Sequence, residues 1–578
     1  MYTPRSLKAE SPHRRSLPEY KSILSSDSLK AIFSDCGDFE ARELSFGLRG
    51  GIKITACWLD GIVSGNEVTE GIIRPFTELL RSAGVQTEQD CISQVMSGAV
   101  YSHSAKRRDT LDDVVDALTH GFCALIFDGA AQAVCFEVKT SNTRSVSEPT
   151  LEKSIKGAKD SFVETLRTNT ALVRKRICSP KLKVIESSIG RKSHTKLAIM
   201  FVDGVASPDT VRELASRLDA LDVDALLATG TLEEYIVDAP RSPFPQLLHT
   251  ERPDRFAMYL MDGRVGILID GLPIGLVLPV TLAEFMKVTG DASNNYLVAT
   301  VLTVLRYFAL FLSIFLPALY VAIAMYHQEM IPTPLLLSII EAKQNVPFST
   351  ALEIMGMLIS FELLQEAGLR LPNPIGDTVS IIGALIVGQS AVEAQVVSPI
   401  AIIVVAVSGI AGYTLPSQDF GSAIRLLRFV LVIASILAGF FGVGAALCLL
   451  TLHLADIDSF GVDYTAPLSR PRSGGFCCKS RSPSTSSATR TSKLRIKGGR
   501  NEKGDLRYPC ACVRVYAHGL HKRVLKLQRD RTAARHPGHG ARQAGRGRAA
   551  VAVLCVGREH RQRAQAALRY RRLDHHGA

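Results

Sequence analysis

Between Ile52 and Val280 the chain alternates short apolar runs with amphipathic stretches, a pattern that predicts strands interleaved with helices in an α/β or α+β fold. Ile52–Gly61 reads as a strand ending in a turn, and Val68–Ser82 follows it as an amphipathic helix. Lys196–Gly204 repeats the strand and turn, followed by a helix from Pro208 to Leu221. Asp60 and Asp203 stand 143 residues apart, while Gly121, Asp128 and Gly129 recur as Gly263, Asp270 and Gly271 after 142 residues. Four positions sharing nearly one offset point to two copies of a small domain, placed at residues 31–140 and 195–292. The repeated Asp-Gly pairs suit tight turns, because glycine tolerates positive φ, although metal or phosphate binding is a competing reading. Residues 141–194 are expected to be a helical linker, with a helix-like run from Thr150 to Ile177 that ends in Arg174-Lys175-Arg176. That basic cluster suits lipid head groups or a nucleotide, or equally a solvated helix end complementing the helix dipole. Residues 1–30, rich in Ser, Pro, Arg and Lys, read as a disordered N-terminus without a secretory signal.

From 293 to 467 the pattern changes to long apolar runs. Tyr307–Met325 is charge-free for 19 residues, Ala394–Gln418 for 25 and Phe429–Leu452 for 24, each long enough to cross about 30 Å of hydrocarbon. Thr378–Val392 adds 15 more before Glu393. The expectation is a polytopic α-helical membrane domain with five spans, at 299–326, 351–368, 376–396, 399–416 and 426–454. Ala351–Gly368 is the least apolar of these, since it carries Glu353, Glu362 and Glu366. Counting it as a span places Arg370, Arg425 and Arg428 on the side of a cytoplasmic N-terminus, as the positive-inside rule requires. Ionisable groups at membrane depth usually face a bundle interior or water, so Glu362 and Glu393 are candidates for an ion path. The alternative pairs Glu362 with Arg370 at the interface and leaves Glu393 in a wet loop. Pro332, Pro334, Pro347, Pro372, Pro374 and Pro399 suit broken helices around a cavity or ordinary helix ends.

Charge changes the picture at one place. The chain has 578 residues, a formal net charge of +12 and a pI near 9.1, which at first suggest a nucleic-acid or acidic-surface binder. Of its 67 Lys+Arg and 55 Asp+Glu, however, 27 and 5 lie in residues 468–578. Residues 1–467 therefore keep 40 basic and 50 acidic groups, and the basicity belongs to the tail alone. That tail is expected to be of low order. A shifted reading frame in GC-rich DNA would produce its Arg/Ala/Gly/His bias, and a basic disordered tail that binds anionic lipid or DNA is the other reading. The seven cysteines before the tail sit singly, mostly in apolar runs, as buried reduced thiols do. No Walker loop, Gly-x-Gly-x-x-Gly, His-Glu-x-x-His or nucleophile elbow is present, and the tail's Cys510-Ala511-Cys512 lacks tetrahedral metal spacing. No enzyme, cofactor or metal site is expected.

Residues 115–467 carry longer strings: Arg144-Ser145-Val146-Ser147-Glu148-Pro149, Phe244-Pro245-Gln246, Thr250-Glu251-Arg252-Pro253-Asp254, Ile331-Pro332-Thr333-Pro334, Phe361-Glu362-Leu363-Leu364-Gln365-Glu366-Ala367-Gly368-Leu369-Arg370-Leu371-Pro372 and Ala391-Val392-Glu393-Ala394. In these the chain resembles the GerA family, the A subunits of the spore germinant receptors of endospore-forming bacteria. The resemblance implies a multi-pass protein of the inner membrane, embedded in lipid, with cytoplasmic N-terminal domains and no nucleic-acid partner. It further implies a transporter-like B subunit and a lipoprotein C subunit as partners, and homo-oligomers that form a nutrient-gated ion channel whose opening begins germination. Within the matching strings Glu362, Glu366, Arg370 and Glu393 become pore or gating candidates, while Arg144, Glu148, Pro149 and Thr250–Asp254 read as a structural motif. The resemblance leaves off after Ser459-Phe460-Gly461-Val462, short of the basic tail. Two other classes stay open: a secondary transporter, which would need a repeat in the membrane half, and a non-conducting scaffold that recruits germination partners.

Overall fold

The computed structural model describes residues 20, 22–46, 52–82, 87–99, 105–138, 149, 152, 156–370 and 388–466. The expected disorder of 1–19, the motif residues Arg144 and Glu148, most of the expected span 376–396 and the tail 468–578 lie outside the described residues.

The soluble half holds two five-stranded antiparallel sheets. In the first, β1 (Phe39–Phe46), β2 (Ile52–Leu59), β3 (Ala105–Arg108), β4 (Phe122–Phe127) and β5 (Gln132–Glu137) lie in the order β1-β2-β4-β5-β3. In the second, β6 (Leu182–Ile189), β7 (Thr195–Val202), β8 (Leu248–Thr250), β9 (Val265–Ile269) and β10 (Gly275–Leu278) lie in the order β6-β7-β9-β10-β8. The second order is the first, strand for strand, and the register repeats too. Ile54 faces Phe127 as Leu197 faces Ile269, and Cys123 faces Phe136 as Val265 faces Leu278. A one-residue slip would turn every apolar side chain to the wrong face, so shared register means shared core design.

Period-two alternation sends each strand's side chains to two helical layers. Ile54, Ala56 and Trp58 meet Val68, Ile72 and Phe76, while Cys57 and Leu59 meet α1 (Ser26–Ile32) and the helix Leu111–Thr119, here α2. The second sheet is covered likewise. Leu197 and Ile199 meet α4 (Pro208–Asp219) and α5 (Thr229–Ile236), and Ala198 and Met200 meet α3 (Leu166–Arg174) and α6 (Pro253–Met261). The cysteines of the first domain are core residues. Burial pushes the Cys57 and Cys135 thiols up to about 12 and Cys91 up to about 11, so they stay protonated and unreactive.

The Asp-Gly pairs are turns, with Gly61, Gly204 and Gly271 at φ of 92°, 78° and 85°. Two of their aspartates have a further task that spacing does not reveal. Asp128 accepts from the backbone N–H of Ser26 at 2.7 Å, and Asp270 accepts from that of Leu166 at 3.0 Å. Each caps the helix that precedes the first strand of its own sheet.

The stretch expected as a helical linker, 141–194, is not that. Its only helix among the described residues is α3, and β6 already belongs to the second sheet. The chain before α3 stays extended because its backbone is bonded elsewhere. Phe162 N–H donates to Glu251 carbonyl at 2.7 Å, and Asn169 ties down both polar groups of Val163. The basic cluster likewise turns inward. Arg174 makes a bidentate pair with Asp38 at 2.6 and 2.8 Å with both side chains 1% exposed, and Arg176 pairs with Asp160. Neither guanidinium remains for a phosphate.

That Arg174–Asp38 pair fastens one sheet domain to the other. Around it Arg167 reaches Asp60 at 3.0 Å, and Gly37 and Val184 exchange backbone bonds with the opposite domain at 2.8 and 3.0 Å. Gly61 must be glycine, since a Cβ there would lie 3.0 Å from the Arg167 carbonyl oxygen.

The C-terminal half is helical: α7 (Tyr296–Tyr326), α8 (Thr333–Lys343), α9 (Thr350–Arg370), α10 (Pro399–Tyr413) and α11 (Gln418–Asp456). Two of these, α7 and α11, are long and apolar enough to cross a membrane, with mean hydropathies of 2.3 and 2.4. Yet α11 is not one rod, as the expected span 426–454 supposed. Ala438 (φ −146°, ψ 19°) and Gly439 (φ 57°, ψ −137°) break it, and the chain folds back. A straight helix of 39 residues would be about 58 Å long. Instead Phe244 of the second sheet domain lies 6.3 Å from Phe420 and 6.2 Å from His453, at opposite ends of the segment. After α11 the hairpin β11 (Asp458–Ser459) and β12 (Val462–Asp463) packs on the same domain. Tyr464 hydroxyl donates to Pro245 carbonyl at 2.9 Å, and Val280 N–H donates to Ser459 hydroxyl at 3.2 Å.

Replacing Asp38 with Ala strands a buried guanidinium and should cost about 3–5 kcal/mol in chemical unfolding of the soluble half. The double change Asp38→Leu with Arg174→Met should recover most of that loss.

Candidate functional site

The helix α9 carries three carboxylates in an apolar sequence, and two of them are tied into the bundle. Glu362 lies between two arginines of α11, with Oε1 3.0 Å from Arg425 Nη1 and Oε2 3.5 Å from Arg428 Nη2. Arg425 and Arg428 are three residues apart and so share one helix face. Arg425 also donates to Gln365 at 3.1 Å. Arg428 is 1% exposed, and its second nitrogen donates to Ser408 of α10 at 3.3 Å. Ser408 in turn donates to the Ser313 carbonyl of α7 at 2.8 Å. The cluster thus links α7, α9, α10 and the first arm of α11. It sets two guanidinium charges against one carboxylate, and Arg428 Nε has no partner among the described residues. A buried guanidinium in so apolar a setting depends strongly on its one counter-charge.

At the far end of the bundle Glu353, 3% exposed, accepts from the backbone N–H of Ser398, the N-cap of α10. Its other oxygen lies 4.0 Å from Lys343 Nζ. The carboxylate therefore sits at a helix N-terminus, where the dipole favours negative charge.

The sequence-expected residues do not form one site. Glu366 is exposed on α9 one turn beyond Glu362, and Arg370 ends the same helix. Glu393 is exposed and lines a shallow hollow of about 520 Å³ with Gln389, Val392, Pro399 and Ile402, apart from the Glu362 cluster. The Thr250–Asp254 motif is structural at every described member. Thr250 donates to Glu152 at 2.6 Å, and Arg252, 1% exposed, grips Asp254 at 2.7 and 3.0 Å. Glu251 lends its carbonyl to Phe162, and Pro253 opens α6. Pro149 is buried.

Arg428, Ser408 and Glu353 are the participants that sequence reading passed over. Arg428 stands between Leu427 and Phe429 at the head of a 24-residue apolar run, and an arginine so placed signals a partner inside the bundle. Ser408 carries no such signal, because a serine inside an apolar helix usually bonds its own backbone.

Residues 27–492 match the family described as Bacillus/Clostridium GerA spore germination protein. The chain belongs to the GerA family. It is 36% identical to the uncharacterized membrane protein YfkQ of Bacillus subtilis over 444 residues, 77% of this chain and 85% of that protein. It is 34% identical to spore germination protein KA of Bacillus subtilis, over 75% of this chain and 78% of that one. Among solved structures it resembles the N-terminal domain of the A subunit of the Bacillus megaterium spore germinant receptor GerK3. There the identity is 27% and the TM-score 0.35, over 44% of this chain and 92% of that domain. Membership gives the chain a role in spore germination.

Glu362→Gln leaves Arg428 without its counter-charge and should lower stability in detergent thermal melts by about 3–5 kcal/mol. Glu362→Leu with Arg428→Met should restore most of it. A wild-type melt for Glu362→Gln would show that the cluster holds nothing together.

Proposed function

We propose that the chain is the membrane subunit of a germinant receptor that helps trigger germination in response to nutrients, and that it does so as part of an oligomeric, nutrient-gated ion channel. The observation that carries this reading is the Glu362–Arg425–Arg428 cluster, held inside an otherwise apolar bundle. Ionisable groups kept at such depth mark permeation or gating paths more often than they serve stability. In this reading Glu362 and Arg428 set the closed packing of α9 against α11. Glu366 and Arg370 extend the charged face of α9, and Glu393 lies at the mouth of the path. The partners in this reading are a transporter-like B subunit and a lipoprotein C subunit, with further copies of the chain closing the pore. The chain acts as a receptor subunit rather than an enzyme.

Large apolar side chains on the bundle surface support a lipid setting, as Leu437 and Phe441 are 75% and 81% exposed. The fold-back of α11 changes the count of crossings. The chain leaves the second sheet domain at α7 and returns to it at Ser459, so the number of crossings in this reading is even rather than five. Arg306, Arg425 and Arg428 lie toward the sheet domain, which supports placing that domain in the cytoplasm.

Conductance of the full receptor in planar bilayers tests the reading. Glu362→Gln and Arg428→Gln should each change nutrient-evoked current or its threshold at least tenfold while the protein still assembles. Unchanged currents in both variants would remove the cluster from the path, and no current from the wild-type receptor would remove the channel.

A further inference from the structure

The second sheet domain meets α11 at both ends, and the two contacts differ in chemistry. At the exit Ser242 hydroxyl and His453 Nε2 lie 2.9 Å apart, beside Phe244. At the entry the contact is ionic. His249 stands on β8, the edge strand of the sheet, with its backbone opposite Leu276. Its Nδ1 lies 2.6 Å from Asp419 Oδ2, on the second residue of α11, and its Nε2 lies 3.6 Å from Glu233 Oε2 on α5. Phe420, next to Asp419, stacks on Phe285 at 5.7 Å and packs on Phe244 at 6.3 Å, so the ion contact sits against the apolar seam joining domain to bundle.

We propose that His249, Asp419 and Glu233 form a proton-set clasp by which the second sheet domain grips the entry of the α11 hairpin. The proposal goes beyond the channel reading and stands whether or not the chain conducts ions. With its imidazole protonated, His249 bridges two carboxylates from two elements. With the imidazole neutral, Asp419 and Glu233 face one another across it with no cation between, and the grip weakens.

The other charged groups around the imidazole do not supply a substitute cation. Glu234 stands beside Glu233, and Glu251 lies two residues along the chain from His249. Arg255 is committed to Glu152. Two small hollows flank the contact. One of about 250 Å³ is lined by Glu233, Glu234, Phe244, Gln246 and Asp419, and the other, about 200 Å³, by Glu152, His249, Thr250, Gln418 and Asp419. They give water and protons a route to a largely buried ring.

Burial works against the charged imidazole, but the Asp419 hydrogen bond and charge, with Glu233 adding to them, raise His249 above its ordinary value. Burial, reinforced by Asp419 and Glu234, raises Glu233 as well, while His249 draws it down. A raised histidine stabilises the clasped state fully below its free value near 6.5, and that stabilisation is lost as pH rises through the clasped value. The clasp therefore holds in mild acid and loosens toward alkaline pH.

Hydrogen exchange of the full-length protein in detergent, read by mass spectrometry from pH 6 to pH 9 and corrected for intrinsic exchange, tests this. Protection of amides 421–425 should fall about tenfold per pH unit above the clasped midpoint, relative to amides 429–434 in the same helix. His249→Gln should abolish that dependence. Asp419→Asn should move the midpoint down toward the free histidine value, and it carries the test if His249→Gln does not fold. Wild-type protection that is flat across the range would overturn the clasp. So would a pH dependence that survives in His249→Gln, or a midpoint that Asp419→Asn leaves in place.

Discussion

Phe244 packs against Phe420 at one end of α11 and His453 at the other, and the rest of the molecule is arranged around that contact. For one side chain to touch both ends of a 39-residue helical segment, the segment must reverse. The reversal falls where the backbone can take it. Gly439 has a positive φ of 57°, and at Gly442 a Cβ would lie 2.0 Å from the Ala434 carbonyl oxygen. Because both arms return to one sheet domain, any movement of that domain reaches the bundle at two points at once. One apolar cluster runs without interruption from Met200 and Phe256 in the domain through Phe285 and Phe420 to Val321 and Leu431 in the helices. Interiors packed in this way transmit displacement instead of absorbing it.

The charges of the bundle take their meaning from this attachment. Arg425 and Arg428 lie on the first arm of α11, within three turns of Asp419, and they hold Glu362 of α9. A shift of the second sheet domain that turns this arm moves both arginines relative to the carboxylate. Soluble domain and buried ion cluster are thus connected through one helical arm, with no loop between them to take up the motion. The first sheet domain joins through the Arg174–Asp38 pair, which lies as deep as any core residue. A buried pair of this kind fixes an orientation more than it adds net stability.

Much of this was legible in the chain. The offset of 142 or 143 residues, visible in four Asp and Gly positions, is the offset of the whole register of the two sheets, because turn residues and strand spacing are constrained together. The weak apolar character of α9 pointed correctly to Glu362 as a residue with a partner. The partner was hidden, because Glu362 and Arg428 are 66 residues apart and periodicity does not report pairing across helices. The break in α11 was hidden for a related reason. Glycines at 439, 442 and 444 in a 24-residue apolar run read equally as small packing residues, and hydropathy does not distinguish one long span from two short arms. The linker reading failed where long-range bonds outweighed local propensity, at Phe162–Glu251 and Val163–Asn169.

The fold-back of α11 is the claim on which the rest stands, and a distance measures it. Ketone-bearing residues introduced at Gln418 and Asp456 can be spin-labelled without touching the native thiols, and the pair read by pulsed electron resonance in the full-length protein. Two packed arms place the labels within about 20 Å of one another, twice the usual spacing of neighbouring helices. A continuous helix would hold them about 57 Å apart, and that reading would contradict the account.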